Sequence, residues 1–208
     1  KESIVNSQHC QRNWDLDKTI PQEDLETLVT AVSQCPSKQN IAYYKCHFIT
    51  NRSVIENIHS NTDGFTVRYN PKTTQTNSQT LANLLVAFED IPITPRLLNG
   101  EIRNDQSLWL QQDETNIPEE LKRDKEMAIG IASGYLNLTA NLLGYSTGFC
   151  ACFDPVVIGK TLGLDNKILL LLGIGFKNTD IDRKQHQLHS NFIYTAFTKQ
   201  PIEVSFVN

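Results

Sequence analysis

His9 and Cys10 stand side by side near the start of the chain, and Cys150 and Cys152 flank a single alanine in "GFCACFD". The first pair offers a base and a thiol, the parts of an activated nucleophile. Adjacent residues rarely orient for proton transfer, and no third side chain that would steer the imidazole is visible. The second pair offers two soft ligands, yet no further Cys or His pair follows at zinc-site spacing. Five cysteines is an odd number without framework spacing, so the thiols read as packing or main-chain positions, in a reducing cytoplasm. No metal is expected. Cations are the other chemistry-bearing groups: Arg12, two places beyond Cys10, and the pair Arg183-Lys184 late in the chain. Such groups serve anions, phosphate above all. For Arg183-Lys184 a solvated loop pair is the plainer alternative.

Two polar loops raise the same choice. In "QCPSKQNIAYYKCHF" a helical pattern runs into Pro36, and a strand-like run starts near Lys45. The loop either stops a helix or offers the Ser37 hydroxyl and the Asn40 amide to a ligand. Asn77 and Gln79, in "TQTNSQTLANLLV", either cap a strand or present amides.

The elements that must position these residues follow from periodicity. "TIPQEDLETLVTAVSQC" predicts a helix, with Leu25, Leu28, Val29 and Val32 on one apolar face. Thr19 and Gln22 have capping-box spacing, Pro21 suits the first turn, and the helix must end before Pro36. "KCHFIT" alternates as a strand. A short helix is expected over 51–59 and a turn at Asp63-Gly64, then a buried strand around Leu84 to Phe88. Residues 91–118 read as a loop-rich segment with one short helix around Trp109. From Met127 to Leu143 a long helix is apolar nearly all round, so it must be covered on every side, as a central helix or at a subunit interface. Gly130 and Gly134 would let another backbone approach, and Gly144 is a plausible C-cap. "KILLLLGIGF" is a buried strand, "KNTDIDRKQHQ" a polar loop, and the tail "IEVSFVN" alternates as an edge strand does. The layout is α+β.

The totals exclude some classes. The chain of 208 residues suits one domain, with 39% hydrophobic and 20% charged residues. A net charge of −4 gives no global pull toward nucleic acid or an anionic membrane surface. No apolar run approaches the length of a membrane span.

Three segments, in order, resemble the nitroreductase family of FMN-dependent oxidoreductases. "QHCQRNWDLDKTIPQEDLETLVTAVSQCPSKQN" is similar to that family's N-terminal basic motif, helix and Pro-Ser-x-x-Asn loop. "AIGIASGYLNLTANLLGYSTGFCACFD" is similar to its central helix and flavin-facing loop. "LGLDNKILLLLGIGF" with the later basic pair is similar to its last core strand and phosphate site. The resemblance implies a single domain over 1–208: a central, mainly antiparallel sheet flanked by helices, with an extended C-terminal strand, in an interlocked homodimer carrying two FMN sites built from both subunits. It implies two-electron transfer from NADH or NADPH through FMN to a small electron-poor acceptor, a nitroaromatic or quinone, by a ping-pong scheme. No protein acid or base is then required, because the cofactor carries the chemistry.

On this resemblance Arg12 is the cation at the N1/O2 edge of the flavin, where negative charge gathers on reduction. Arg183 and Lys184 serve the phosphate, with His9 and Cys10 as nearby donors. Pro36, Ser37 and Asn40 meet the ribityl chain or ring edge, Asn77 and Gln79 add amide contacts, and the Cys150-Ala151-Cys152 loop supplies a main-chain N–H near N5. The chain departs from the family pattern at Gln8, where an Arg usually reaches the phosphate, at Cys10, where a Ser often stands, and at Ala151-Cys152. Two other readings stay open: a different flavin enzyme on the same fold, such as a dehalogenase, and a non-enzymatic dimeric binding protein that has weakened or lost FMN.

Overall fold

The computed structural model describes residues 1–66, 73–92, 119–195 and 197–207. A four-stranded antiparallel sheet forms its centre, in the order β1 (Tyr44–Ile49), β4 (Leu84–Asp90), β6 (Ile168–Gly175), β5 (Ser146–Cys150). Two short strands, β2 (Gly64–Thr66) and β3 (Thr73–Gln75), pair separately. The helices are α1 (Glu2–Asn6), α2 (Gln22–Ser33), α3 (Arg52–Ser60), α4 (Glu119–Leu142) and α5 (Pro155–Thr161).

Strand β4 explains the layering. Alternate side chains point to opposite faces of a sheet. Leu84, Val86 and Phe88 join Leu28 and Val32 of α2 and Ile129, Ala132, Leu136 and Ala140 of α4 in one cluster. Leu85 and Ala87 join Ile55 and Ile58 of α3 and Ile158 of α5 in another. Both faces are covered, so this central strand is apolar at every position up to Phe88. Between Phe88 and Glu89 the register with β6 shifts by one residue, a bulge that places Ile168 and Leu171 on the same face.

Helix α2 begins later than a capping box requires. Pro21 is the N-cap, with no side-chain cap bond, and Gln22 is the first helical residue; its amide donates to Glu26 Oε1 at 3.1 Å. The helix stops at Ser33, before Pro36 as expected. Val29 of its apolar face is exposed. Asp63 and Gly64 form no turn; they run extended into β2, with the Asp63 N–H donating to the Cys152 carbonyl at 2.8 Å. The segment expected around Trp109 lies outside the described residues.

Among the described residues, helix α4 is covered on one side only. Ala128, Ala132, Leu136 and Ala140 are buried, whereas Met127, Ile131, Tyr135, Leu138 and Leu142 form an exposed stripe at helical spacing. Gly130 and Gly134 have open space where a Cβ would stand. The helix ends in a Schellman motif: Gly144 takes φ +93°, and the Tyr145 N–H donates to the Ala140 carbonyl at 2.9 Å. The tail departs from expectation. Ile202, Val204 and Phe206 alternate, yet among the described residues they join no strand and lie exposed, Phe206 at 90%. A strand needs a partner edge, and no described residue supplies one to the tail. No described helix is long and apolar enough to cross a membrane.

Candidate active site

The N-terminal segment reaches the sheet as an extended strand-like run. Cys10 bridges Thr147 in parallel, and the Gln11 N–H donates to the Thr147 carbonyl at 2.8 Å, beside edge strand β5. The next peptide joins the late basic pair: the Arg12 N–H donates to the Arg183 carbonyl at 3.1 Å. Arg183 returns a bond from its guanidinium to the Cys10 carbonyl at 3.4 Å. Residues separated by most of the chain therefore share one wall. Gln8, His9, Cys10, Arg12, Arg183 and Lys184 line a cavity of about 470 Å³, within the usual range for small-molecule sites. Tyr194, Thr195, Phe197, Thr198 and Lys199 complete its described lining, which holds no carboxylate.

Behind Arg12 lies a short turn, Ser78–Leu81, that packs flat on the sheet. Gly148 of β5 and Gly173 of β6 are cross-strand partners that leave room for it. A Cβ on Gly148 would stand 2.6 Å from Gln79 Cβ, and one on Gly173 would stand 2.0 Å from the Gln79 carbonyl oxygen. Pressed into this flat, Gln79 is buried and its side chain is fully engaged. Its Oε1 accepts a short bond from Arg12, and its Nε2 donates to the Phe149 carbonyl at 3.1 Å and to Asn77 Oδ1 at 3.2 Å. Asn77 is buried as well, donating to the Asp63 carbonyl at 2.8 Å and the Cys152 carbonyl at 3.4 Å. Their amides thus tie the end of β5 and the residues after it to Arg12.

Burial favours the protonated form of Cys10 and Cys150. Burial raises the Cys10 thiol above its ordinary value, against the opposing pull of Arg12 and Arg183. Burial likewise pushes Cys150 up to about 12, and its side chain belongs to the core beside Ile168 and Leu171. A protonated Cys10 is a poor nucleophile. Ala151 and Cys152 are exposed, and all five cysteines are free. Among the described residues, no three His, Cys, Asp or Glu side chains are grouped to hold a metal ion.

Pro36, Ser37 and Asn40 lie elsewhere in the single chain. Ser37 and Asn40 line a second cavity, of about 680 Å³, with Val29, Val32, Ile41 and Phe48; it shares no residue with the first. Ser37 Oγ donates to the Ile41 carbonyl at 2.8 Å. Gln39 and Asn40 take φ of 56° and 53°, a left-handed pair that turns the chain sharply toward β1. Pro36 is exposed at the helix end.

Tyr194 and Ser78 carried no sequence signal, yet both touch Arg12. The Arg12 guanidinium carbon lies 4.1 Å from the Tyr194 ring centroid, and Ser78 Oγ donates to the Arg12 carbonyl at 2.7 Å. Tyr194 stacks at 10° on buried His186, whose ring lies 6.0 Å from His59. Burial first, then His186, pushes the His59 pKa down to about 4. An unfolded His titrates near ~6.5, so the unfolded chain gains a proton before the folded one. The stability contributed by neutral His59 is complete above that value and is lost as pH falls toward about 4. Melting temperature is expected to be level above neutrality and to decline across this window, with a shallower decline in His59→Gln. Equal slopes in both proteins would show that other groups govern the acid limb.

A family model described as "Nitroreductase family" matches residues 5–176. No curated protein matches the chain. Among solved structures, the candidate nitroreductase ydfN from Bacillus subtilis has a TM-score of 0.67 at 15% identity, over 99% of this chain and 98% of its own. A candidate NAD(P)H:FMN oxidoreductase from Staphylococcus epidermidis has a TM-score of 0.63 at 18% identity, over 87% and 88%. A candidate nitroreductase from Exiguobacterium sibiricum, solved in complex with FMN, has a TM-score of 0.63 at 17% identity, over 96% and 92%. At such identities the likeness is one of fold.

Proposed function

We propose, from the premise that this chain belongs to the nitroreductase family, that it is an FMN-dependent oxidoreductase using NADH or NADPH to reduce a small electron-poor acceptor, a nitroaromatic or quinone. The observation that carries this reading is the convergence of Arg12, Arg183 and Lys184 on one cavity whose described lining holds no carboxylate, with Asp182 3.9 Å from Lys184 outside it. Its charge suits a phosphate at the Arg183-Lys184 end and the electron-rich pyrimidine edge of a flavin at Arg12. When bound, FMN supplies the two-electron chemistry, taking electrons from the nicotinamide and passing them to the acceptor in alternate half-reactions.

The chain's own residues bind and tune. Arg183 and Lys184 neutralise phosphate, with His9 and the Cys10 thiol as neighbouring donors. Arg12 presents a fixed positive charge where negative charge accumulates, and Gln79 holds it there. Gln79 and Asn77 hold the Phe149 and Cys152 carbonyls, and the residues that follow β5 would offer main-chain N–H groups to the flavin ring. No side chain is needed to move a proton to the acceptor.

The site is completed by a second copy of the chain. Ser37 and Asn40 are remote from Arg12 in one chain, and α4 carries an uncovered apolar stripe with two open glycines. Packing two such stripes together, with the exposed tail laid along the partner, would cover both. Ile131→Glu places a charge in that interface. It is expected to turn a dimer into a monomer by light scattering and to weaken FMN binding with it. A dimer of unchanged mass would place the interface elsewhere.

The testing experiment is a visible spectrum after reconstitution with FMN and desalting, followed by anaerobic NADPH or NADH. Retained flavin absorbance that bleaches with nicotinamide is the expected result. Absence of retained flavin would instead favour the binding-protein reading, which Gln8 on the cavity wall, in place of an Arg, supports.

A further inference from the structure

We infer that Tyr194 is a positioning residue: its ring fixes the plane of the Arg12 guanidinium, and so sets how strongly the site prefers reduced over oxidised flavin. This rests on the flavin reading above.

One hydrogen bond cannot orient a guanidinium. Gln79 Oε1 pins one end of the Arg12 fork, but the group can still swing about that bond. The Tyr194 face, 4.1 Å from the guanidinium carbon, removes this freedom. It supplies the electron-rich surface that favours a stacked cation, and it excludes water from one side. Held this way, Arg12 lines the cavity. A fixed cation stabilises developing negative charge without reorganising at the moment of reduction. A swinging one loses side-chain entropy when it engages, and so discriminates less between the two flavin states.

Tyr194 is itself held from several sides. Its N–H donates to the Lys184 carbonyl at 3.0 Å, and the His186 N–H donates to the Phe192 carbonyl at 2.9 Å. Residues 184–194 therefore fold back as a small hairpin, closed by the Gln185–Ile193 bridge. Phe192 meets the Tyr194 ring edge-on at 4.9 Å, and His186 stacks on it from 6.2 Å. The same hairpin that starts at the basic pair thus ends on Arg12, linking the phosphate end of the site to the pyrimidine end. The Tyr194 hydroxyl contributes little, because its contact with Ser78 Oγ is long, at 3.4 Å.

The test is the flavin midpoint potential, with dissociation constants for oxidised and reduced FMN, in Tyr194→Leu, Tyr194→Met and Tyr194→Phe. Loss of the ring in Leu or Met is expected to lower the preference for reduced flavin about tenfold, about 30 mV for a two-electron couple. Phe is expected to stay within about twofold of the parent, because it keeps the ring face. Met preserves bulk and serves as the second variant should Leu fail to fold. In an Arg12→Gln background the same ring removals are expected to change nothing further, because the ring acts through Arg12. Flavin that stays bound with an unmoved potential in Leu and Met overturns this inference alone. An equal shift with Arg12 already absent also overturns it. A parent protein that binds no FMN defeats the flavin reading, and this inference with it.

Discussion

Arg12→Gln is expected to weaken FMN binding about 10- to 100-fold, the scale of a charge-assisted hydrogen bond lost at a partly buried site. Reduced flavin should lose more than oxidised flavin, because the charge faces the edge that becomes anionic. The Gln79 Oε1 acceptor, now without its donor, adds a local cost, since the Gln79 side chain is otherwise committed to Phe149 and Asn77. Turnover with either nicotinamide should fall with the affinity for reduced flavin. Fluorescence titration of FMN, oxidised and then dithionite-reduced, separates the two states. Equal losses in both would show that Arg12 binds the cofactor without tuning it. No loss would remove Arg12 from the site.

Gly173→Ala is expected to damage the fold and the site together. The new methyl would stand 2.0 Å from the Gln79 carbonyl oxygen and 3.1 Å from Ala82 Cβ. The first of these is backbone, which cannot rotate away. Either β6 or the Ser78–Leu81 turn must shift, and overpacking of this kind costs about 1–3 kcal/mol. At this chain length that lowers the melting temperature by roughly 3–10 °C. Movement of the turn also shifts Gln79, and with it the Arg12 guanidinium. The check is thermal melting beside FMN titration. A Gly173→Ala protein that melts like its parent and binds FMN normally would mean that the turn rides on the sheet more loosely than these distances allow.

Both predictions depend on relations between segments far apart in sequence, which marks the limit of what the sequence shows. Elements with a repeating local signal are legible. The face of α2 built on Leu25, Leu28 and Val32, the continuous apolar run of β6 and the Gly144 cap all depend on neighbours a few residues away. The capping box at Thr19 and Gln22 was a false signal of the same local kind. The helix starts at Gln22, after the extended Pro21, so the two residues never take the positions a box needs. The tail's alternation is genuine, but pairing requires an edge, and no described residue offers it one.

The sequence by itself determined the α+β class, the principal strands and helices, and the set of cations and amides available to an anionic cofactor. These follow from side-chain periodicity and charge, which are properties of the chain read along its length. The tertiary structure decided which of those residues meet. It brought His9, Cys10 and Arg12 to Arg183 and Lys184 around one cavity, and set Asn77 and Gln79 behind them as supports. It left Ser37 and Asn40 at a different cavity. It also placed Tyr194, which nothing local distinguishes, on the face of Arg12. The physical reason is that these meetings rest on strand order and on close approach at the Gly148–Gly173 pair. Neither exists until the sheet has formed.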